Sequence, residues 1–180
     1  MRLRKANAII SLTITVLLLD HGIYNSIWML SRCTISRPVE ISPWVLVGLF
    51  VLHAALSIVM AIIGHKGLKK VPMKTYPKLN FPTTLQRATG IAMLVLLAVH
   101  IAGAANYFQP KYLHAVLHPL FFAVVLTHTS VSVSKALITL GIGSTKVLKS
   151  IDIILLIICG ATLIASSIGF QLCLFMGVAK

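Results

Sequence analysis

Acidic side chains are nearly missing from this chain: Asp20, Glu40 and Asp152 are the three in 180 residues. Charged residues of both signs make up 11% and aromatic residues 7%. So little charge, beside 58% hydrophobic residues and a mean hydropathy of +0.96, excludes most soluble globular classes and intrinsic disorder. Cysteine is scarce as well. Cys33, Cys159 and Cys173 form no C-x-x-C and no metal-ligand spacing. A disulfide-stapled secreted domain is therefore excluded, and each cysteine reads as a buried, inert thiol. Lysine and arginine are the exception to the scarcity, and they bring the formal net charge to +13. They sit in short clusters between long apolar runs, which excludes nucleic-acid binding as a primary role. What remains is an integral membrane protein in a single domain, residues 1–180.

A bilayer core is crossed by about 20 apolar residues in a helix. Five segments qualify, at about 6–30, 43–64, 83–107, 113–140 and 151–177. The expected fold is an all-α membrane bundle of five helices. Pro38, Pro43 and Pro110 break the chain between spans. A longer loop, His65 to Pro82, holds Pro72, Pro77 and Pro82 among Lys66, Lys69, Lys70, Lys74 and Lys78. The first span is too long and too polar at its end for a cleaved signal peptide, and no Ala-x-Ala site follows it.

Basic residues give the expected direction. One side collects Arg2, Arg4, Lys5, Lys66, Lys69, Lys70, Lys74, Lys78, Arg87, Lys135, Lys146 and Lys149, and the other Arg32, Arg37, Lys111 and Lys180. The positive-inside rule puts the N-terminus in the cytoplasm and the C-terminus outside, in a cytoplasmic membrane.

Four histidines fall well inside apolar spans: His21, His53, His100 and His128, one on each of the first four. An ionisable side chain in a bilayer is costly and turns towards the bundle interior. One such histidine is explained equally well by a helix–helix hydrogen bond. Four on four consecutive spans point to a shared task. Bis-histidine haem ligation wants this arrangement, because facing helices supply imidazoles from opposite sides of one iron. Counted from the inner span ends, His53 and His128 lie at roughly 17–18 Å depth and His21 and His100 at roughly 22–26 Å. That count pairs His53 with His128 and His21 with His100. The spacings His21–His53 and His100–His128 also make a weak repeat of two-helix units, hence a four-helix haem-binding core with two quasi-equivalent sites. Zinc fits less well, since no Cys or carboxylate joins these histidines. His114 and His118 form an i, i+4 pair at the outer mouth of the fourth span and read first as interfacial residues.

The third span opens Thr83-Thr84-Leu85-Gln86-Arg87-Ala88-Thr89-Gly90, with His100 ten residues on. This resembles the Ser-x-x-His-Arg-x-Ser/Thr-Gly signature of cytochrome b subunits of succinate dehydrogenase and fumarate reductase. The run from His128 through Lys135 to Gly141 resembles a ligand-bearing helix of the same family, and Arg37-Pro38 ahead of His53 resembles its second helix. Five spans with histidines on the first four are most similar to the two-haem branch. The resemblance implies two haem b groups. His53 and His128 would bind the proximal one, nearer the cytoplasm, and His21 and His100 the distal one. It implies a flavoprotein and an iron–sulfur subunit on the cytoplasmic face, and a quinone, menaquinone in this branch, as membrane substrate. The chain departs from the family at Gln86, where the signature has histidine, and at Leu126, where some two-haem members carry a glutamate.

Other groups take roles around this core. Arg87, Gln86 and Lys135 on the inner side, and Arg37, Lys111 and His114 on the outer, are candidates for haem propionates; ordinary interface anchoring explains each equally well. Gly22, Ala54, Gly90 and Gly103 would let a flat porphyrin approach, or simply let helices pack closely. An outer quinone site would draw on Asp20, Glu40, His114 and His118. Asp20 also reads as a snorkelled or lysine-paired carboxylate. The lysine-rich inner face suits an acidic partner, although lipid head groups and topology explain most of it. The expected activity is electron transfer between an iron–sulfur subunit and quinone, as the quinone-reactive membrane subunit of an oxidoreductase. No dicarboxylate chemistry is expected on this chain, which has no soluble domain to hold a flavin. Two alternatives stand beside it: a cytochrome b of another quinone-linked oxidoreductase, and a haem-free transporter that uses its histidines for protons.

Overall fold

The computed structural model describes residues 2–31, 42–67, 77–104 and 111–175. They form five α-helices: α1 (Arg2–Leu30), α2 (Ser42–Gly67), α3 (Pro77–Ala104), α4 (Lys111–Leu140) and α5 (Thr145–Phe175). Each is long and apolar enough to cross a membrane. Their outward faces are apolar too, as at Val51, Ile58 and Ile62 on α2, Ile91 and Val95 on α3, and Ile153 and Ile157 on α5. In water such faces would drive aggregation; in lipid they match their solvent. Several hydroxyls inside the spans are satisfied locally. Thr13, Thr15, Thr127 and Thr162 each donate to the carbonyl four residues back. Together these are the marks of a membrane protein.

Two helix starts differ from the sequence expectation. The third helix begins at Pro77, six residues before the expected span, because proline in a first turn gives up an N–H that would be unpaired anyway. The fifth begins at Thr145 rather than about 151. Ser144 caps it: its carbonyl accepts from Leu148 N–H at 3.0 Å and its Oγ from Val147 N–H at 3.5 Å. Just before, Gly141 closes α4. Gly141 N–H donates to the Ile138 carbonyl at 3.0 Å and Ile142 N–H to Leu137 at 2.9 Å, the double bond of a Schellman turn. Gly141 and Gly143 have φ of +80° and +104°, a region that L side chains avoid. The expected ten-residue loop is therefore mostly helix.

Helix α1 packs on α2, α4 and α5, and α4 packs on α1, α3 and α5. The first four helices are thus two hairpins, α1–α2 and α3–α4, joined along α1 and α4. All four contribute to one apolar cluster: Ile14, Leu46, Phe50, Met93, Phe121 and Val125. Among the described residues α1–α3, α2–α4 and α2–α3 make at most a marginal approach. Helix α5 contributes nothing to this cluster and lies against α1 through small residues. A Cβ on Gly22 would come within 3.1 Å of Thr162 Cγ2, and Ser26 Oγ donates to the Gly22 carbonyl at 2.6 Å. Small residues let helices approach where no hydrophobic effect drives them together. Gly22 therefore serves helix packing and leaves no space for a porphyrin.

Candidate functional site

The inner histidine pair comes together. His53 on α2 and His128 on α4 lie close enough to interact electrostatically. The His53 Nδ1 is buried with no hydrogen-bond partner. The His128 ring is held from α3 instead, with Thr89 Oγ1 3.0 Å from its Nδ1. It also fills the space beside Gly90, where a Cβ would meet His128 Cε1 at 3.3 Å. Gly90 makes room for an imidazole rather than for a flat macrocycle directly.

One to two turns towards the inner end lies a polar cluster. Lys135 Nζ donates to Gln86 Oε1 at 2.9 Å, and Gln86 Nε2 donates to Ser132 Oγ at 3.0 Å. Arg87 is exposed and close enough to Lys135 for the two charges to interact. Neither cation has a carboxylate partner among the described residues. Asp152, the nearest acid in sequence on α5, accepts from Ser134 Oγ at 2.5 Å. Arg87, Gln86 and Lys135, three separate candidates in the sequence, thus form one cationic corner below His128.

Cross-helix contacts fix the levels. Asn7 Nδ2 donates to Ser57 Oγ at 3.4 Å, which ties α1 to α2. His53 stands one turn above that contact and His21 fourteen residues above it, so the two differ by about 15 Å in height. On the other hairpin, His100 is eleven residues above Thr89, hence about 16 Å above His128. By these contacts His53 and His128 lie near one level, and His21 and His100 each stand about 15–16 Å above it. The separation is much larger than the depth count gives, because the inner helix ends are staggered and do not form a common plane.

The outer level is arranged differently. His100 stacks on Phe121, with ring centroids 5.2 Å apart, and its ring lies 6.0 Å from that of His118. His118 in turn packs on Phe122 at 4.8 Å. Leu96, Val99 and Leu117 complete a small pocket around these rings, between α3 and α4. His21 lies in α1 beside Asn25, whose Nδ2 is 3.3 Å from His21 Nδ1 and donates to the His21 carbonyl at 2.7 Å. His118 therefore lies at the level of His100, near the end of the fourth apolar span. Pro119 follows it inside α4 and removes the N–H that would pair with the Ala115 carbonyl. Asp20 is exposed on α1 and makes no hydrogen bond or ion pair among the described residues. Glu40, Arg37, Cys33 and most of the lysine-rich loop lie outside the described residues, as do the side chains of His114, Lys111 and Cys173.

Comparison with protein-family models, with curated proteins and with solved structures gives no match. Function therefore has to be argued from the site.

The inner residues are of the kinds a bis-histidine haem would use. There are two imidazoles on helices that are not close-packed, one ring nitrogen left without a partner, apolar neighbours, and two cations one to two turns away with no carboxylate partner among the described residues. Among the described residues no group of three or more His, Cys, Asp or Glu could hold a metal ion alone. Thr89, Asn25 and Phe121 are contacts that histidine counting misses. Thr89 stands inside the signature run, but its contact with His128 depends on helix rotation.

Proposed function

We propose that this chain is the dihaem cytochrome b membrane anchor of a succinate:quinone oxidoreductase, a succinate dehydrogenase or fumarate reductase. It would carry electrons between an iron–sulfur subunit and a membrane quinone, a menaquinone in keeping with the two-haem layout. The observation that carries the reading is the inner pair. His53 on α2 and His128 on α4 lie within electrostatic reach of each other in apolar helices, one to two turns from a cationic corner that no carboxylate neutralises among the described residues. Burying imidazoles in lipid without a task is costly.

In this reading His53 and His128 are the axial ligands of the inner haem b, and Arg87 and Lys135 hold its propionates. His21 and His100 are the axial ligands of the outer one. Haem iron supplies the one-electron chemistry. The chain's own residues hold the ligating nitrogens, exclude water with the Ile14–Phe50–Met93–Val125 cluster, and set two levels about 15 Å apart. Quinone would bind at the outer level, drawing on Asp20, His114 and His118, with the pocket beside His100 and His118 as its candidate seat. The flavoprotein and iron–sulfur partners would dock on the basic inner face, with the N-terminus cytoplasmic.

Reduced-minus-oxidised spectra of single His→Ala variants test the assignment. His53→Ala and His128→Ala should each remove one spectral component, and His21→Ala and His100→Ala the other. Loss of both components in every variant, or of neither in any, contradicts the pairing.

A further inference from the structure

We infer that Thr89 is a positioning residue for His128: its hydroxyl oxygen accepts the Nδ1–H of the ring and so leaves the lone pair on Nε2, the ligating atom. This rests on the cytochrome reading above. A hydroxyl has one hydrogen, and three groups surround that of Thr89. Its Oγ1 lies 2.7 Å from the Leu85 carbonyl, 3.2 Å from the Gln86 carbonyl and 3.0 Å from His128 Nδ1. Two oxygens at 2.7 Å repel unless a proton lies between them, so the hydrogen belongs to the Leu85 bond. The ring nitrogen must then be the donor. The His128 ring also lies close to the Gln86 backbone carbonyl, a second acceptor for a ring N–H.

An imidazole protonated at Nδ1 presents a bare Nε2, and a neutral ring nitrogen is what a metal takes. A donated Nδ1–H also fixes ring orientation and raises the basicity of the ligand. Gly90 completes the device on the same turn of α3. The ring can lie against the helix because residue 90 has no Cβ to meet its Cε1. His53 has no such support, since its Nδ1 is buried without a partner. The inner pair is asymmetric: one imidazole is held from behind and the other is not.

The test is redox titration of the purified, haem-loaded protein, followed by visible and electron paramagnetic resonance spectra. Thr89→Ser keeps the acceptor and should leave the inner component at its wild-type midpoint. Thr89→Val keeps the shape and removes the acceptor, so the ligand becomes less basic and ferric iron loses ground to ferrous. A loss of about tenfold in the ferric preference is expected. That is an upward midpoint shift of about 59 mV for a one-electron couple. The outer component should not move. Gly90→Ala offers a second route should Thr89→Val accumulate poorly. It displaces the ring from Thr89 without touching the hydroxyl and should shift the same component. A wild-type inner component in Thr89→Val, or in Gly90→Ala where the first cannot be loaded, overturns the assignment while leaving the cytochrome intact. A wild-type protein that binds no haem overturns the cytochrome reading beneath it.

Discussion

Replacing Lys135 by glutamine removes one of the two positive charges below the proposed inner haem while keeping a polar side chain at the site. The structure sets the size of the effect. Lys135 is seven residues from His128 on α4, about 10 Å along the helix axis. Two unit charges at about 10 Å interact by about 1.7 kcal/mol at an effective dielectric of 20, and by about 0.4 kcal/mol in bulk water. The half-buried position of Lys135 lies between these limits. For a one-electron couple the range is about 20–70 mV. A cation favours the more electron-rich ferrous state, so Lys135→Gln should lower the inner midpoint by that amount and leave the outer one unmoved. Lys135→Arg keeps the charge and should stay close to wild type. The assay is a potentiometric titration followed in the haem α-band. An inner midpoint unchanged by Lys135→Gln, or a shift confined to the outer component, refutes the placement of this corner beside the inner haem.

Two further predictions concern the scaffold. Gly22→Leu should force α1 away from Thr162 on α5 and lower stability by about 1–3 kcal/mol. Thermal unfolding in detergent reads this, and wild-type stability would mean that the α1–α5 contact is not close. Gly143→Ala should cost about 1–2 kcal/mol, because φ is +104° there and the new Cβ would meet Leu148 Cδ2 at 3.2 Å. The same unfolding experiment should show that loss with the absorbance of the haem components unaltered, since the α4–α5 turn lies away from both histidine levels.

The five helices are legible in the sequence because a bilayer demands a length of apolar chain that little else in the protein imitates. The early starts of α3 and α5 are not. Hydropathy is blind to Pro77 in a first turn and to the Ser144 cap, and the lysines after Ser144 disguise a helix as a loop. The positions of His21, His53, His100 and His128 are equally plain, since ionisable residues stand out in apolar runs. Their surroundings depend on hairpin register, which the sequence of a connecting segment does not supply. Ten residues up α4 from His128 and eleven up α3 from Thr89 bring His118 and His100 to one level. The sequence places His118 only near a helix end. Thr83, Thr84 and Thr89 look alike in sequence; only the rotation of α3 shows that Thr89 is the one against a histidine. Gly22 and Gly90 likewise read the same until their neighbours are known: one faces Thr162 on α5, the other His128.

The most direct test of the account is the haem b content per chain of the purified protein, expressed with haem available and measured as the pyridine haemochrome. The account predicts two haems per chain, both reducible by dithionite. A colourless protein with no bound haem would contradict it, and the four intramembrane histidines would then need a different task.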